Sequence, residues 1–347
     1  MKNLYALLPL LAALLVPGKA SAQILPDPSV QIVASWKVGD QMDYTFTKKE
    51  YEEREAPGNE TQLASYCDTI HFKVEAATDS SYTLALTYGD PFNINSLGFP
   101  LTDEERAALP NPVYRIRTDR SGAFQEVENL DEIAAAFQSA IPVITQAIGR
   151  TFSDGQLAKR LAEQLVKEMT GPERLTNLVS ADIEPLLCFF GSRFNASAIQ
   201  AIEEPVRGIM GTTGEACNIP GSIWVDSERT NEEYAVIHKE LHGDTEQLGP
   251  ILQELLQPMA ELFASFIGST VGKTPDEKET QYVRDQIDEM FKDATIKYEE
   301  NIVEEVHRES GWPVHLLSDG YVALSIKDSF RGHHTIREIR MVAEEGE

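Results

Sequence analysis

Residues 69–88 read Thr69-Ile70-His71-Phe72-Lys73-Val74, a break ending in Asp79-Ser80-Ser81, and Tyr82-Thr83-Leu84-Ala85-Leu86-Thr87-Tyr88. Apolar and polar residues alternate on both sides of the break, and β-branched and aromatic types dominate. That period of two is the signature of half-buried strands, and the short polar break makes the pair an antiparallel hairpin. Upstream, Asp43-Tyr44-Thr45-Phe46-Thr47 repeats the pattern, with the polar stretch Glu52 to Gln62 expected as a loop between. Downstream, Val113 to Thr118 and Ala123 to Glu128 flank Asp119-Arg120-Ser121-Gly122 and predict a second hairpin. Thr102-Asp103-Glu104-Glu105 is a capping box that opens one short helix, stopped by Pro110 and Pro112.

The period changes at Asn129. Leu130, Ile133, Ala134, Phe137, Ile141, Ile144 and Ile148 recur at spacings of three and four, so they share a helical face, and Pro142 predicts a kink. A second helix is expected with Leu157, Leu161, Leu165 and Met169 in register, ended by Thr170-Gly171-Pro172, and a third apolar segment runs from Leu175 to Phe190. Strand character returns at Ser222 to Arg229 and Tyr234 to Leu241 around Thr230-Asn231-Glu232-Glu233. Next comes a long amphipathic stretch through Leu248, Ile251, Leu252, Leu255, Met259, Leu262, Phe263 and Phe266, interrupted by Pro258. Thr274-Pro275-Asp276-Glu277 caps an acidic helix reaching about Ala294. The last fifty or so residues are expected as a β-meander with turns at Ser310-Gly311, Asp319-Gly320 and Arg331-Gly332.

Strand blocks that alternate with helical blocks, without regular βαβ units, specify an α+β fold. The expected architecture is a curved, half-barrel-like antiparallel sheet packed against two groups of amphipathic helices, 130–170 and 245–292. Both terminal strand blocks lack partners unless they pair with each other, so one domain over 23–347 is expected, with a split near 215 as the alternative.

The N-terminus carries its own information. Lys2 precedes an apolar run from Leu4 to Val16, followed by Ala20-Ser21-Ala22, the small-residue pattern of a secretory signal peptide cut between Ala22 and Gln23. The run is shorter than the roughly 18–20 residues a membrane span needs, and no later segment approaches that length. Cleavage removes Lys2 and Lys19 and no acid, from a chain already at a net charge of −26 with 56 acidic and 30 basic residues. Such a surface repels phosphate backbones, which excludes nucleic acid as a partner class. The three cysteines, Cys67, Cys188 and Cys217, leave at least one thiol unpaired, and the pairing of the others is open. Asn59-Glu60-Thr61 and Asn195-Ala196-Ser197 are formal glycosylation sequons.

Motifs that resemble catalytic or metal sites fail on spacing. His238-Lys239-Glu240-Leu241-His242 has Lys239 where the zinc-protease pattern requires glutamate, so it reads as a surface strand. His333-His334 follows Gly332 in an expected turn, and adjacent histidines on a strand face opposite ways, so no metal site is expected. Gly272-Lys273-Thr274 lacks the glycine a phosphate loop needs at position 267, which is Ile267, so no nucleotide cofactor is expected. No G-x-S-x-G elbow occurs, and Trp36, Trp224 and Trp312 are expected in the core.

Trp36-Lys37-Val38-Gly39-Asp40-Gln41-Met42-Asp43-Tyr44, Tyr114 to Phe124 and Ser310-Gly311-Trp312-Pro313-Val314 resemble segments of uncharacterised exported β-rich envelope proteins of Gram-negative bacteria. At the level of element order the chain is similar to the half-barrel lipoprotein-carrier family. That resemblance implies a periplasmic or secreted location and an apolar cavity beneath helices, here lined by Leu252, Leu255 and Phe263. The expected function is binding of a lipid-like or other apolar ligand. The alternatives are an envelope-protein interaction partner without a pocket and, more remotely, a hydrolase using carboxylates.

Overall fold

The structure is a computed structural model that describes residues 24–25, 29–89, 101–151, 154–171, 175–176, 183–206, 209, 216–252, 293–327 and 329–342. In chain order the elements are β1 (Ile24–Leu25), β2 (Ser29–Gln31), β3 (Gln41–Arg54), β4 (Glu60–Ala77), β5 (Ser81–Tyr88), α1 (Asp103–Ala107), β6 (Tyr114–Asp119), β7 (Phe124–Val127), α2 (Leu130–Ser139), α3 (Ile141–Thr151), α4 (Gly155–Met169), β8 (Arg193–Asn195), β9 (Gln200–Val206), β10 (Cys217–Val225), β11 (Tyr234–Gly243), β12 (Thr295–His307), β13 (Pro313–Ile326) and β14 (Ser329–Met341). Eleven strands make one open antiparallel sheet in the order β7-β6-β5-β4-β3-β14-β13-β12-β11-β10-β9, and β1, β2 and β8 form a second, three-stranded sheet. The fold is therefore α+β, as the pattern of periods requires. The two orphan strand blocks find each other: β14 pairs with β3 from Arg331↔Arg54 to Met341↔Tyr44.

Alternation assigns the faces. Tyr44, Phe46, Ile70, Phe72, Val74, Tyr82, Leu84, Leu86, Tyr114 and Ile116 are buried on the inner face of β3 to β6. Ala235, Ile237, Ile302, Val306, Leu316 and Ile339 continue that face across β11 to β14. The Thr102 capping box forms as expected, with Thr102 Oγ1 accepting from the Glu105 amide and the Glu105 carboxylate accepting from the Thr102 amide.

Several expected boundaries move. The connection between the first two long strands is short, because β3 runs to Arg54 and β4 starts at Glu60, with Glu55 (φ 72°) and Gly58 (φ 86°) making the turn. Asp319-Gly320 and Arg331-Gly332 are not turns. Both lie inside strands, and the β13–β14 hairpin turns at Lys327 (φ 51°) instead. Gly332 is there for room: a Cβ would sit 2.6 Å from Glu53 Oε2 and 3.1 Å from Tyr321 Oη, which hydrogen-bond to each other across it at 2.6 Å. Where Pro142 predicted a kink, the helix ends at Ala140 and restarts at Ile141, which puts the proline in a first turn that needs no N–H from it. In α4 the fully buried stripe is Ala158, Ala162 and Val166, and the expected Leu161 and Leu165 pack half-buried against the same core. Leu157 is exposed. Small side chains admit α3 closely: a Cβ added at Gly149 would lie 4.0 Å from Ala158 Cβ. The amphipathic stretch after β11 is helical over 245–252, and Leu248, Ile251 and Leu252 are buried. Its continuation, including Pro258 and the Thr274 capping box, lies outside the described residues.

Residues 29–36 cross one end of the inner face, with Val30, Ile32, Ala34 and Trp36 buried. Their backbone is tied to three turns, since Ile32 N donates to Ser192 O, Ala34 N to Ser121 O and Ser35 N to Ser310 O. Two turn glycines make way for them. At Gly311 (φ 72°) a Cβ would lie 2.4 Å from Val33 O, and at Gly122 (φ 102°) 2.4 Å from Phe190 Cδ1. Gly311→Ala is expected to destabilise the protein by about 1–3 kcal/mol, because it combines left-handed strain with a backbone clash. The midpoint of urea unfolding checks this, and an unchanged midpoint contradicts it.

Candidate ligand site on the inner face

The inner face is not uniformly apolar. One cross-strand row runs Lys48, Arg337, Ser318, Ile302, Lys239, Ile223, Gln200 from β3 to β9, and the next runs Glu50, Thr335, Gly320, Glu300, Leu241, Gly221, Ile202. The core divides where this polar band crosses it. Ile237, Ile302, Leu316 and Ile339 belong to the larger cluster, and Leu241, Ile219, Leu248 and Ile296 to the smaller.

Lys239 sits between Ile237 and Leu241 and is only 4% exposed. Its ammonium donates to both oxygens of Glu204, at 2.8 and 3.0 Å, and stands 4.0 Å from Glu300 Oε2. Burial opposes the charge, but Cys188, Glu300 and Glu204 outweigh it and the lysine is held protonated. The Cys188 thiol is itself pushed well up by burial, which makes it neutral and a weak nucleophile, so the two carboxylates supply the counter-charge.

Glu304 lies diagonally across from Lys239, because Ile237 pairs with Glu304 and Lys239 with Ile302. It is fully buried, and among the described residues neither carboxyl oxygen has a hydrogen-bond partner. Burial raises its pKa far above the ordinary carboxylate range, against a smaller opposing pull from Lys239. Burial therefore favours its protonated form in this apolar wall. Two more neutral groups share its condition. Tyr44 Oη and Ser318 Oγ are fully buried without partners among the described residues. Ser318 is the diagonal neighbour of Glu304, since Ile302 pairs with Ser318 and Glu304 with Leu316. The Tyr44 phenol is pushed up by burial, with a smaller contribution in the same direction from the Glu304 carboxyl. Each unmet buried group costs about 1–3 kcal/mol, and native folds keep few of them.

The residues singled out from the sequence fall mainly elsewhere. Lys239 is a correction: its strand was expected at the surface, yet it faces the core, while His238 and His242 point outward. His238 stacks on Trp224 with centroids 5.0 Å apart and planes 12° from parallel, and reaches Asp226 Oδ2 at 3.3 Å. Trp36 and Trp312 are in the core as expected, stacked at 4.7 Å, whereas Trp224 lies on the outer face. Cys67, Cys188 and Cys217 are all free thiols. Leu252 packs in the smaller cluster, whereas Leu255, Phe263, Gly272-Lys273-Thr274 and the Ala22–Gln23 junction lie outside the described residues. Among the described residues no three His, Cys, Asp or Glu side chains converge to hold a metal ion, and no helix is long and apolar enough to cross a membrane. Glu304, Ser318 and Tyr44 were not anticipated as a group. One signal existed: in Ile296-Lys297-Tyr298-Glu299-Glu300-Asn301-Ile302-Val303-Glu304-Glu305-Val306, carboxylates at 300 and 304 interrupt the alternating apolar series 296, 298, 302, 306.

His333 and His334 do face opposite ways, though within a strand. On the outer face His334 Nε2 meets Asp319 at 2.8 Å and Nδ1 meets Glu60 at 3.0 Å, with Tyr51 and Tyr321 alongside. Burial disfavours the imidazolium, but the two carboxylates win and the pKa rises above the ordinary histidine value. A raised folded-state pKa means stability that is complete below about pH 6.5 and lost as pH climbs through the folded value. His334→Asn is expected to remove that part of the pH dependence. Unfolding midpoints of the two proteins should converge as pH rises through the folded-state pKa, and a constant gap from pH 5 to 9 contradicts the assignment.

No family model matches the chain, and no curated protein matches it in sequence. Among solved structures, lipovitellin aligns over 88% of this chain and 25% of its own at 12% identity and a TM-score of 0.39, so the chain spans a quarter of that protein. Ail of Yersinia pestis aligns over 88% of this chain and 100% of its own at 4% identity and a TM-score of 0.16. A loop-deleted OmpT of Vibrio cholerae gives 88%, 100%, 9% and 0.20. Likenesses this slight carry no functional argument.

Proposed function

We propose that this is an exported, non-enzymatic protein that binds a lipid-like molecule on the inner face of its sheet. One observation carries the reading: Glu304, fully buried and without a hydrogen-bond partner among the described residues, stands in a wall made of Phe46, Ile237, Leu316 and Ile339. Folded proteins do not retain such a group at a cost in stability unless something meets it, and an amphiphile brings both an apolar body and a polar end. Export rests on the Lys2 start, the Leu4 to Val16 run and the Ala20-Ser21-Ala22 cut. Residues 23–347 are proposed to fold as one unit, because β14 completes the N-terminal strand block.

Native mass spectrometry of the protein purified from its own host tests the reading, with denaturing extraction to identify anything released. The expected result is a near-stoichiometric apolar molecule on a chain beginning at Gln23. An apo mass that does not change on incubation with envelope lipids refutes the binding reading, and a chain that retains Met1 refutes export.

A further inference from the structure

We propose that the molecule bound on the inner face has an anionic head, a carboxylate or a phosphate, received by the Arg337 guanidinium and the Ser318 hydroxyl. This rests on the lipid-binding reading above and names the class of ligand.

The cations of the inner face differ in whether a carboxylate answers them. Lys239 is held by Glu204 and Glu300. Lys48 lies 2.6 Å from Glu50, and further along the same two strands Arg54 and Arg331 lie 2.7 and 3.5 Å from Glu52. Arg337 is left over. It pairs across the strands with Lys48 on one side and Ser318 on the other, so a like charge faces it directly, which is unfavourable unless an anion joins them. Among the described residues it makes no ion pair, and its Nε–H is buried without a hydrogen-bond partner. Burial opposes ionisation of Glu50, but Lys48, and after it His333 and Arg337, draw its pKa below the ordinary carboxylate value, so that one carboxylate already answers several cations. On the inner face of β3 and β14, Lys48, Arg54, Arg331 and Arg337 therefore outnumber Glu50 and Glu52, the reverse of the balance in the whole chain, with its 56 acidic and 30 basic residues.

A guanidinium only donates hydrogen bonds, so whatever meets it is an acceptor, and the strongest acceptors for it are carboxylate and phosphate oxygens. Ser318 stands directly across from Arg337, about 4.5–5.5 Å away at the backbone. It is fully buried with an Oγ that has no partner among the described residues, so its hydroxyl is placed to donate to the same head. Glu304 is the diagonal neighbour of Ser318 on the side away from Arg337, and in the protonated form that burial favours it donates as well. Gly320 leaves space beside them on the same face, since a Cβ there would meet nothing nearer than Thr335 O at 3.9 Å. An alcohol supplies an acceptor but leaves the guanidinium charge unanswered. An ammonium brings one more donor-only cation beside Arg337 and Lys48.

Isothermal titration of the purified protein at pH 7 with laurate, lauryl phosphate, lauryl alcohol and laurylamine tests this, since the four share one alkyl chain and differ in the head. At least one of the two acids is expected to bind about tenfold or more tightly than the alcohol and the amine, and the tighter acid tells carboxylate from phosphate. Arg337→Gln should lower affinity for that acid about tenfold and leave lauryl alcohol within about threefold, and Ser318→Ala should cost the acid about threefold. Arg340→Gln removes the same charge from an exposed position of the same strand and should leave all four affinities as they are, which separates a site from the net charge of the chain. Lauryl alcohol or laurylamine binding as tightly as the acids overturns the head-group assignment and leaves lipid binding intact. Failure of all four to bind overturns the lipid-binding reading itself. Arg337→Gln and Ser318→Ala are read separately, so that one folded variant suffices, and a folded variant of either kind that binds the acid as the parent does overturns the assignment.

Discussion

Lys239→Met is expected to destabilise the protein by about 3 kcal/mol, the lower end of the range for breaking a buried ion pair by removing one partner. The lysine is 4% exposed, and its removal takes from the Glu300 carboxylate, on the core side of β12, the cation 4.0 Å away. Glu204 is the more solvated partner, with its side chain 39% exposed, so water recovers part of the loss there and the upper end of the range does not apply. Adding Glu300→Gln and Glu204→Gln to Lys239→Met should restore much of the stability, because the fault in the single variant is uncompensated charge and not lost volume. Urea titrations of the single and triple variants check this. A loss below about 1 kcal/mol in the single variant, or no recovery in the triple, means that the cation is not what holds these carboxylates in place.

Glu304→Leu is expected to do the reverse in the unliganded protein, raising stability at pH 7 by about 1–3 kcal/mol as an unmet buried carboxyl gives way to an apolar side chain. The pH dependence identifies the cause. Burial raises the folded-state pKa of Glu304 well above 4.5, so the folded state holds a proton that the unfolded chain has released. Stability from this group is therefore greatest below about pH 4.5 and falls as pH rises, by up to about 1.4 kcal/mol per unit, until the folded-state pKa is reached. Most carboxylates in proteins push the other way, so the contribution shows as a difference. Wild type minus Glu304→Gln should become steadily less favourable from pH 5 to pH 7. A flat difference would mean that Glu304 is ionised in the folded protein and has a partner.

These two variants also separate stability from function. The proposed ligand-binding reading predicts that the more stable Glu304→Leu protein is the poorer binder, the trade expected when a buried polar group is kept for recognition.

Much of the architecture was legible in the chain. The alternation around Ile70, Phe72, Leu84 and Leu86 gave the hairpin, its inner face and the sheet type, because strand period and burial are one physical fact seen twice. The Thr102 capping box was readable because all of its partners lie within one helical turn. The α4 stripe misled for a reason that is equally physical: leucines carry more hydrophobicity than alanines, but Ala158 and Ala162 allow closer helix packing, and only the neighbour α3 decides which face is used. Gly320 and Gly332 misled because a glycine marks either a turn or a tight approach, and local sequence does not distinguish them.

The candidate site was far less legible. Lys239, Glu304, Ser318 and Tyr44 come from four strands and are each ordinary in local context, with Lys239 reading as a solvated charge between two histidines. What sequence alone determined is the fold class, the inward phase of most strands and the acidic character of the chain, all of which follow from composition and short-range periodicity. Only the tertiary structure decided that β14 closes against β3, that residues 29–36 cross the end of the inner face, and that Glu304, Ser318 and Tyr44 are buried without hydrogen-bond partners among the described residues. Register between strands far apart in the chain is set by long-range packing, and whether a buried group is satisfied depends on every neighbour at once, which no local pattern records.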